Sequence, residues 1–277
     1  MKQPQADPDA AWRAFDVQVD DGTGVATVTL TGTGAGNAMG GLVWSELPAL
    51  FEALDADPQA RAVVLRGAGD CFSVGLDLRW YLPRYRRTLR AGEQEARRRL
   101  LDEARWMQGS IGAVAASRLP VVAALHGSCI GAGMDLAAAC DIRLASADAV
   151  FSVREVRIGI VADLGVLQRL PRIVGAGHTR ELALTGRDFP AAEARSMGFV
   201  TKVLKTPDAL FEEAGAVAAQ IAAHPPQTVA GIKHVLERSQ DMSLDQGLEH
   251  VALWNAAFLP SSELTDLLTA ALRPDKS

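Results

Sequence analysis

Short apolar runs alternating with stretches of helical spacing predict an α/β protein, and three features of the chain carry that expectation. Ala62-Val-Val-Leu65 closes on Gly67-Ala-Gly69, and Val121-Val-Ala-Ala-Leu125 closes on His126-Gly127, so two strands of one plan each end in a small-residue loop. Leu42, Leu47, Leu50, Phe51 and Leu54 fall at helical spacing ahead of the first of these strands and stop before Asp57-Pro58. After Thr201 strand signals end and helical spacing alone continues. Alternating strands and helices pack as a layered α/β body.

Taken in order, residues 1 to 11 read as a loose polar leader. Val17–Val19 and Val25–Leu30 alternate apolar and polar residues, the period of half-buried strands, and Asp20-Asp-Gly-Thr-Gly24 supplies a hairpin turn between them. Met134 to Ala139 is Ala-rich and helical, and Ile142-Arg-Leu-Ala145 after it is a third buried strand. Ala209–Ala223, Gln227–Arg238 and Leu244–Leu272 are helical, with Pro225-Pro226 as the break. The division expected is a leader (1–11), an α/β core (12–205) and a C-terminal helical region (206–277). Leu248, Val251, Ala252, Phe258 and Leu259 form an apolar stripe that favours association with further copies of the chain over packing within one subunit.

With 277 residues, 48% of them hydrophobic and 22% charged, the chain has the composition of a globular protein with a large core. A formal charge of −5 argues against nucleic acid as a partner, because phosphate binding needs a basic face. Cys71, Cys129 and Cys140 are too few and too irregular for a disulfide scaffold and lack the spacing of a zinc site, so no metal is expected. The N-terminus has no apolar core of the signal-peptide kind, and the uncharged run Leu119–Met134 falls short of the ~20 apolar residues of a membrane span. These features predict a soluble cytoplasmic protein without a membrane partner. Eight arginines between Arg79 and Arg99 read either as a solvated helical face or as an insertion over an anionic ligand.

The most informative stretch runs from His126 to Pro171. Gly131-Ala-Gly133 follows a buried strand and opens a helix that contains Asp135. Unpaired N–H groups at such a helix start can hold an anion. A dinucleotide fingerprint would need a glycine where Leu136 stands and would set a phosphate beside Asp135, and no Gly-Lys-Ser/Thr of a P-loop follows. An oxyanion hole, with backbone donors facing charge that develops on a carbonyl oxygen, remains. So does the plainer possibility that the glycines only let a helix pack on a strand. A second small-residue turn, Cys71-Phe-Ser-Val-Gly-Leu-Asp77, follows the Val63–Leu65 strand, and two such turns can each supply one donor to the same oxygen.

The paired patterns FSVGLDL and HGSCIGAGMDLAAACDIRLAS, with Asn37-Ala-Met39 and LTGRDFPAAEARSMGFVTKV, resemble the crotonase (enoyl-CoA hydratase/isomerase) superfamily from about Phe15 to Leu272. That resemblance implies a crotonase-type ββα spiral core with a C-terminal helical association region, built into a homotrimer or a dimer of trimers. It implies an acyl-CoA thioester substrate whose carbonyl is held by the amides of Val74 and Ala132, with Gly75, Gly131 and Gly133 lining the substrate. No cofactor is implied beyond the CoA of the substrate. Two departures stand out: Ala132 interrupts a run that is often three glycines, and Gly32-Thr-Gly-Ala-Gly36 replaces an Arg/Lys-Pro ahead of Asn37, which leaves CoA contacts from that loop open.

Hydratases of this family resemble one another in carrying glutamates at the positions of Asp135 and Glu155. The set Asp135, Glu155 and Asp163 resembles instead the dienoyl-CoA isomerase subgroup, in which a 3,5-dienoyl-CoA becomes the 2,4-isomer. The resemblance implies Glu155 as base at carbon 2, Asp163 as acid at carbon 6, and Asp135 as the group that orients or polarises them. Taken singly, Asp135 reads as a solvated helix residue, Glu155 as a partner of Arg154 or Arg157, and Asp163 as a helix cap. An enoyl-CoA hydratase or enoyl-CoA isomerase is the alternative activity, and a catalytically silent acyl-CoA-binding protein the alternative class. Asp77 reads as a cap, Asp141 as strand support, and Cys129 and Cys140 as packing residues.

Overall fold

The computed structural model describes residues 12–259 and 262–272, so the polar leader expected over 1–11 lies outside the described residues. The chain divides between Ala223 and His224. The first unit begins with the hairpin of β1 (Phe15–Val19) and β2 (Val25–Leu30), antiparallel across the expected turn. Thr23 caps that turn by donating its N–H to Asp20 Oδ1 at 2.7 Å. Helix α1 (Gly41–Ala56) and β3 (Ala62–Gly67) follow, then α2 (Leu78–Leu89) and α3 (Glu93–Ala116).

Next come β4 (Val121–Leu125), β5 (Ser128–Ile130), α4 (Ala132–Ala138), β6 (Ile142–Ser146) and β7 (Val150–Ser152). A single 3-10 turn, Glu155–Ile158, precedes α5 (Val166–Thr185), which breaks at Gly175 where φ is 82°. Then β8 (Phe189–Pro190), α6 (Ala191–Ser196), β9 (Lys202–Leu204) and α7 (Pro207–Ala222) complete the unit. Strand signal was expected to end at Thr201. It runs on for three residues because β9 pairs parallel with the edge of β6, a register that only tertiary contact provides.

The main sheet has the order β1-β2-β3-β4-β6-β9, parallel after the first hairpin, and β5-β7-β8 form a second small sheet. Side chains of a strand alternate between faces. On β3 and β4, Val63, Leu65, Val121, Ala123 and Leu125 therefore join the core beneath α1 and α3, with Trp44, Leu47, Phe51 and Ile111. Ala62, Val64, Val122 and Ala124 face the other way onto Leu210, Ala214, Ala218 and Ala222 of α7, spaced by four so that one stripe of the helix meets the sheet. Both faces of β4 are covered, which is why it reads as a continuous apolar run rather than an alternating one.

The second unit contains α8 (Pro226–Ser239), α9 (Leu244–Phe258) and α10 (Ser262–Ala271). The stretch expected as one helix from Leu244 to Leu272 is thus two, the first ending at Phe258 and the second starting at Ser262. Helix α9 starts with a capping box in which Ser243 and Gln246 satisfy each other's backbone N–H. His234 of α8 stacks on Trp254 of α9 with ring centroids 4.6 Å apart. Of the apolar stripe, Leu248, Ala252, Phe258 and Leu259 are exposed and Val251 is half-buried.

Candidate active site

Two turns that are distant in sequence lie side by side. Phe72 N–H donates to His126 C=O at 2.8 Å, Ser73 N–H to Ser128 C=O at 2.9 Å, and Ile130 N–H to Ser73 C=O at 3.0 Å. The approach is close enough to demand glycine: a Cβ on Gly75, whose φ is +85°, would stand 2.5 Å from Ile130 O. Asn37 holds the first turn from below. Its side-chain amide donates to the carbonyls of Ala68, Cys71 and Phe72 at 2.8, 2.7 and 3.2 Å, while Ser73 Oγ donates to Asn37 C=O at 2.9 Å. Asn37 itself takes a φ of 56°, a conformation asparagine tolerates better than most residues.

Of the two amides expected to clamp a carbonyl oxygen, the structure leaves one open. The Ala132 N–H, at the first turn of α4, faces no acceptor among the described residues. The Val74 N–H donates to Gly36 C=O at 2.9 Å, which corrects the expectation of two ready donors. Gly36 belongs to the glycine-rich loop that runs ahead of Asn37. A Cβ on Gly36 would meet Val74 Cγ1 at 2.7 Å, so only glycine lets this loop lie against the turn. Gly131 and Gly75 flank the open donor, and a Cβ on Gly133 would press on Ser73 O at 3.0 Å.

The three carboxyls converge. Asp135 is 1% exposed; its Oδ1 accepts from the Val166 N–H at 2.7 Å, and its Oδ2 has no partner. It is therefore no solvated helix residue. Burial, reinforced by the charge of Glu155, pushes its pKa up to about 8. Glu155 Oε1 would lie 3.4 Å from a Cβ on Gly131, and its Oε2 also lacks a partner. Arg154 and Arg157, the partners weighed for Glu155, instead bind Asp188 at 2.7 and 3.2 Å. Burial holds the Glu155 carboxyl above its ordinary value, with Asp163 adding to the effect, and burial likewise raises Asp163. Asp163 is no cap: α5 starts from Gly165 without a side-chain hydrogen bond, while Gln108 of α3 grips the Asp163 carbonyl at 2.7 Å.

Glu155, Asp163, Gly131, Ala132 and Val74 line one cavity of about 310 Å³, walled by Leu76, Leu78, Tyr81, Met107, Ile130, Ile158 and Ile160. Asp135 lies beneath it rather than on its surface. The wall residues from α2 and the 3-10 turn were not singled out in the sequence, although Tyr81 and Tyr85, four apart on one helix, are a readable pair. Asp77 caps α2 by accepting from Arg79 and Trp80 N–H, Asp141 Oδ2 accepts from Val121 N–H at 2.7 Å, and Cys129 and Cys140 are buried. In the arginine run, Arg97, Arg98 and Arg99 pair with Glu93, Glu95 and Asp102 on the exposed side of α3, the solvated face that was one of its two readings. No described helix is long and apolar enough to cross a membrane, and no group of metal-ligating residues is present among the described residues.

Residues 20–259 match the family model described as enoyl-CoA hydratase/isomerase. The chain belongs to the enoyl-CoA hydratase/isomerase family. Within that family it is 42% identical over 233 residues, 83% of this chain and 84% of the relative, to the peroxisomal Delta(3,5)-Delta(2,4)-dienoyl-CoA isomerase of Arabidopsis thaliana. It is 37% identical over 259 residues, 94% of this chain and 88% of the relative, to the mitochondrial Delta(3,5)-Delta(2,4)-dienoyl-CoA isomerase of Dictyostelium discoideum. The crystal structure of an enoyl-CoA hydratase from Bacillus anthracis superposes with a TM-score of 0.83 at 27% identity, covering 93% of this chain and 95% of the other, which places the fold among the crotonases. These relatives correct the cytoplasmic expectation, since family members of this similarity are named as peroxisomal or mitochondrial.

Proposed function

We propose that the protein is an acyl-CoA isomerase that converts 3,5-dienoyl-CoA to 2,4-dienoyl-CoA, with no cofactor beyond the CoA of its substrate. The observation that carries the reading is the meeting of Glu155 and Asp163 in one apolar cavity beside the open Ala132 N–H, over a buried Asp135. The thioester oxygen accepts from Ala132 N–H and takes the place of Gly36 C=O on Val74 N–H, so that charge developing on it meets two donors. Glu155 removes a proton from carbon 2. The electron pair of that C–H bond becomes the 2,3 double bond, the 3,4 pair moves to 4,5, and the 5,6 pair takes a proton from Asp163 at carbon 6. Asp135 touches neither carbon. Its charge or proton biases the other two, because three carboxyls in so small a volume cannot all ionise cheaply.

Purified protein given 3,5-dienoyl-CoA should develop conjugated-diene absorbance without added metal or nicotinamide. Efficient hydration of crotonyl-CoA with no action on the diene would favour the hydratase reading instead. Binding of acyl-CoA with neither reaction would leave a silent binding protein.

We propose in addition that the helical region after residue 206 joins copies into a homotrimer or a dimer of trimers. The support is the groove between α8 and α9, where Ile232, Leu236, Trp254, Phe258 and Leu259 line an apolar cavity that leaves large side chains open to water. Light scattering at micromolar concentration should give at least three times the mass of one chain; a monomer there would end this proposal.

A further inference from the structure

Glu155 stands between two arginines and pairs with neither. Arg154, Glu155 and Arg157 all line the catalytic cavity. Glu155 Oε2 is buried without a partner, and so is Arg154 Nε, an acceptor and a donor on successive residues. A carboxylate within reach of a guanidinium ordinarily closes a forked ion pair with it. Here both guanidiniums are held elsewhere: Arg154 Nη2 and Arg157 Nη2 donate to the same atom, Asp188 Oδ1, at 2.7 and 3.2 Å. The backbone fixes Asp188 in that place. It immediately precedes β8, whose Phe189 and Pro190 pair antiparallel with Phe151 and Val150 of β7. Ser152 Oγ donates to the Gly186 and Arg187 carbonyls at 3.1 and 3.3 Å. Gly186, at φ +59°, lies so close to the 3-10 turn that a Cβ there would stand 2.8 Å from Val156 Cγ1 and 3.3 Å from Arg157 Cγ. Arg187, next to it, is taken up by Glu181 and Glu193.

We propose that Asp188 is a positioning residue for the base: by holding Arg154 and Arg157 it keeps a counter-cation off Glu155 and leaves that carboxylate able to take a proton from carbon 2. The proposal rests on the reading of Glu155 as the base. The other groups around Glu155 supply no cation to it. Asp163 adds negative charge, Asp135 of α4 is itself raised by Glu155, Tyr81 of α2 lines the same cavity, and Arg169 of α5 acts on Asp135. An opposite charge within about 4–6 Å strengthens a carboxylic acid about tenfold or more, and its conjugate base weakens by the same factor. Asp188 itself is half-exposed, so its ion pairs carry little of the fold's stability, and its loss acts on the arginines rather than on the core.

The experiment compares Asp188→Asn, Asp188→Glu, and Asp188→Asn combined with Arg154→Gln and Arg157→Gln, each in the full-length protein. Two midpoints are read: the acid limb of kcat/KM for 3,5-dienoyl-CoA, and the ionisation of Glu155 by infrared difference titration against Glu155→Gln. In Asp188→Asn both should move down by about one pH unit or more, because a released guanidinium favours the carboxylate. Turnover on the neutral plateau should fall about three- to tenfold, the Brønsted consequence of a weaker base. Asp188→Glu, which keeps an anion for the arginines, should hold the wild-type midpoints. The combined variant should return both midpoints to the wild-type values although Asp188 is absent. Unmoved midpoints in Asp188→Asn overturn the proposal, whatever happens to rate or Tm, since loss of a merely structural anchor lowers activity without moving them. A downward shift that persists in the combined variant overturns it too, because the effect would then come from the Asp188 charge and not from the arginines. If the protein leaves 3,5-dienoyl-CoA unchanged, the isomerase reading falls, and the infrared midpoints alone still decide whether Asp188 keeps the cations from Glu155.

Discussion

Asp163→Asn should lower turnover of 3,5-dienoyl-CoA by about 10² to 10⁴, the usual contribution of one general acid or base. The change is nearly isosteric, and the Asp163 carbonyl that Gln108 grips belongs to the backbone, so the loop before α5 keeps its anchor. Affinity for a product CoA ester should stay within a few fold, because the donors at Ala132 and Val74 are untouched. Loss in kcat with KM nearly constant is the signature of an interaction made only in the transition state. Solvent-deuterium exchange at carbon 2 separates the two roles: it should persist in Asp163→Asn and vanish in Glu155→Gln. The reverse pattern would exchange base and acid, and full turnover in Asp163→Asn would remove Asp163 from the chemistry. In the wild type, turnover should fall as pH drops through the raised pKa of Glu155, which must be ionised, and again as pH rises through that of Asp163, which must hold its proton.

Asp135→Asn should stabilise the folded protein in alkali and not in acid. The carboxyl is held up to about 8 in the fold, against an ordinary 3.8, because it is buried with one oxygen unpartnered beside Glu155. A raised acid binds its proton more tightly folded than unfolded. Its contribution is therefore fully present below the unfolded pKa and is lost as pH climbs through the folded one, so the protein weakens between about pH 4 and pH 8. Asparagine keeps an oxygen for the Val166 N–H and cannot ionise. One pKa unit corresponds to about 1.36 kcal/mol, so half of the shift gives the variant a relative gain of about 3 kcal/mol at pH 9, or roughly 6 °C in Tm. Thermal melts at pH 5 and pH 9 measure it. A difference between variant and wild type that is the same at both pH values would mean that Asp135 is ionised in the fold. The same variant tests the chemistry, since loss of turnover there without loss of substrate affinity would mark Asp135 as a group that acts through Glu155 and Asp163.

The sequence by itself determined the α/β class, the hairpin at Asp20–Gly24, the run of β3 and β4, the family and the three carboxyls. The class, the hairpin and the two strands are written locally, in alternation and helical spacing, whereas the family and the set of three carboxyls came from the resemblance of whole motifs. Asp77 as a cap and Asp141 on a strand N–H were legible for the same reason, since their partners lie within three residues or at a strand entry. What depended on distant pairing was not legible. Strand β9 exists because β6 offers an open edge, and Arg154 and Arg157 turn to Asp188, more than thirty residues away, which leaves Glu155 without a cation. The state of the oxyanion pair was likewise hidden. Ala132 N–H is open because a helix start has no acceptor of its own, whereas Val74 N–H is occupied because the loop ending at Gly36 folds back onto it. The apolar walls that Leu78 and Tyr81 of α2 and Ile158 of the 3-10 turn give to the cavity come from segments far apart in the chain, and no local pattern could join them. Sequence names the groups that can ionise or donate; which of them are buried, paired or free is decided by neighbours that only the folded chain brings within reach.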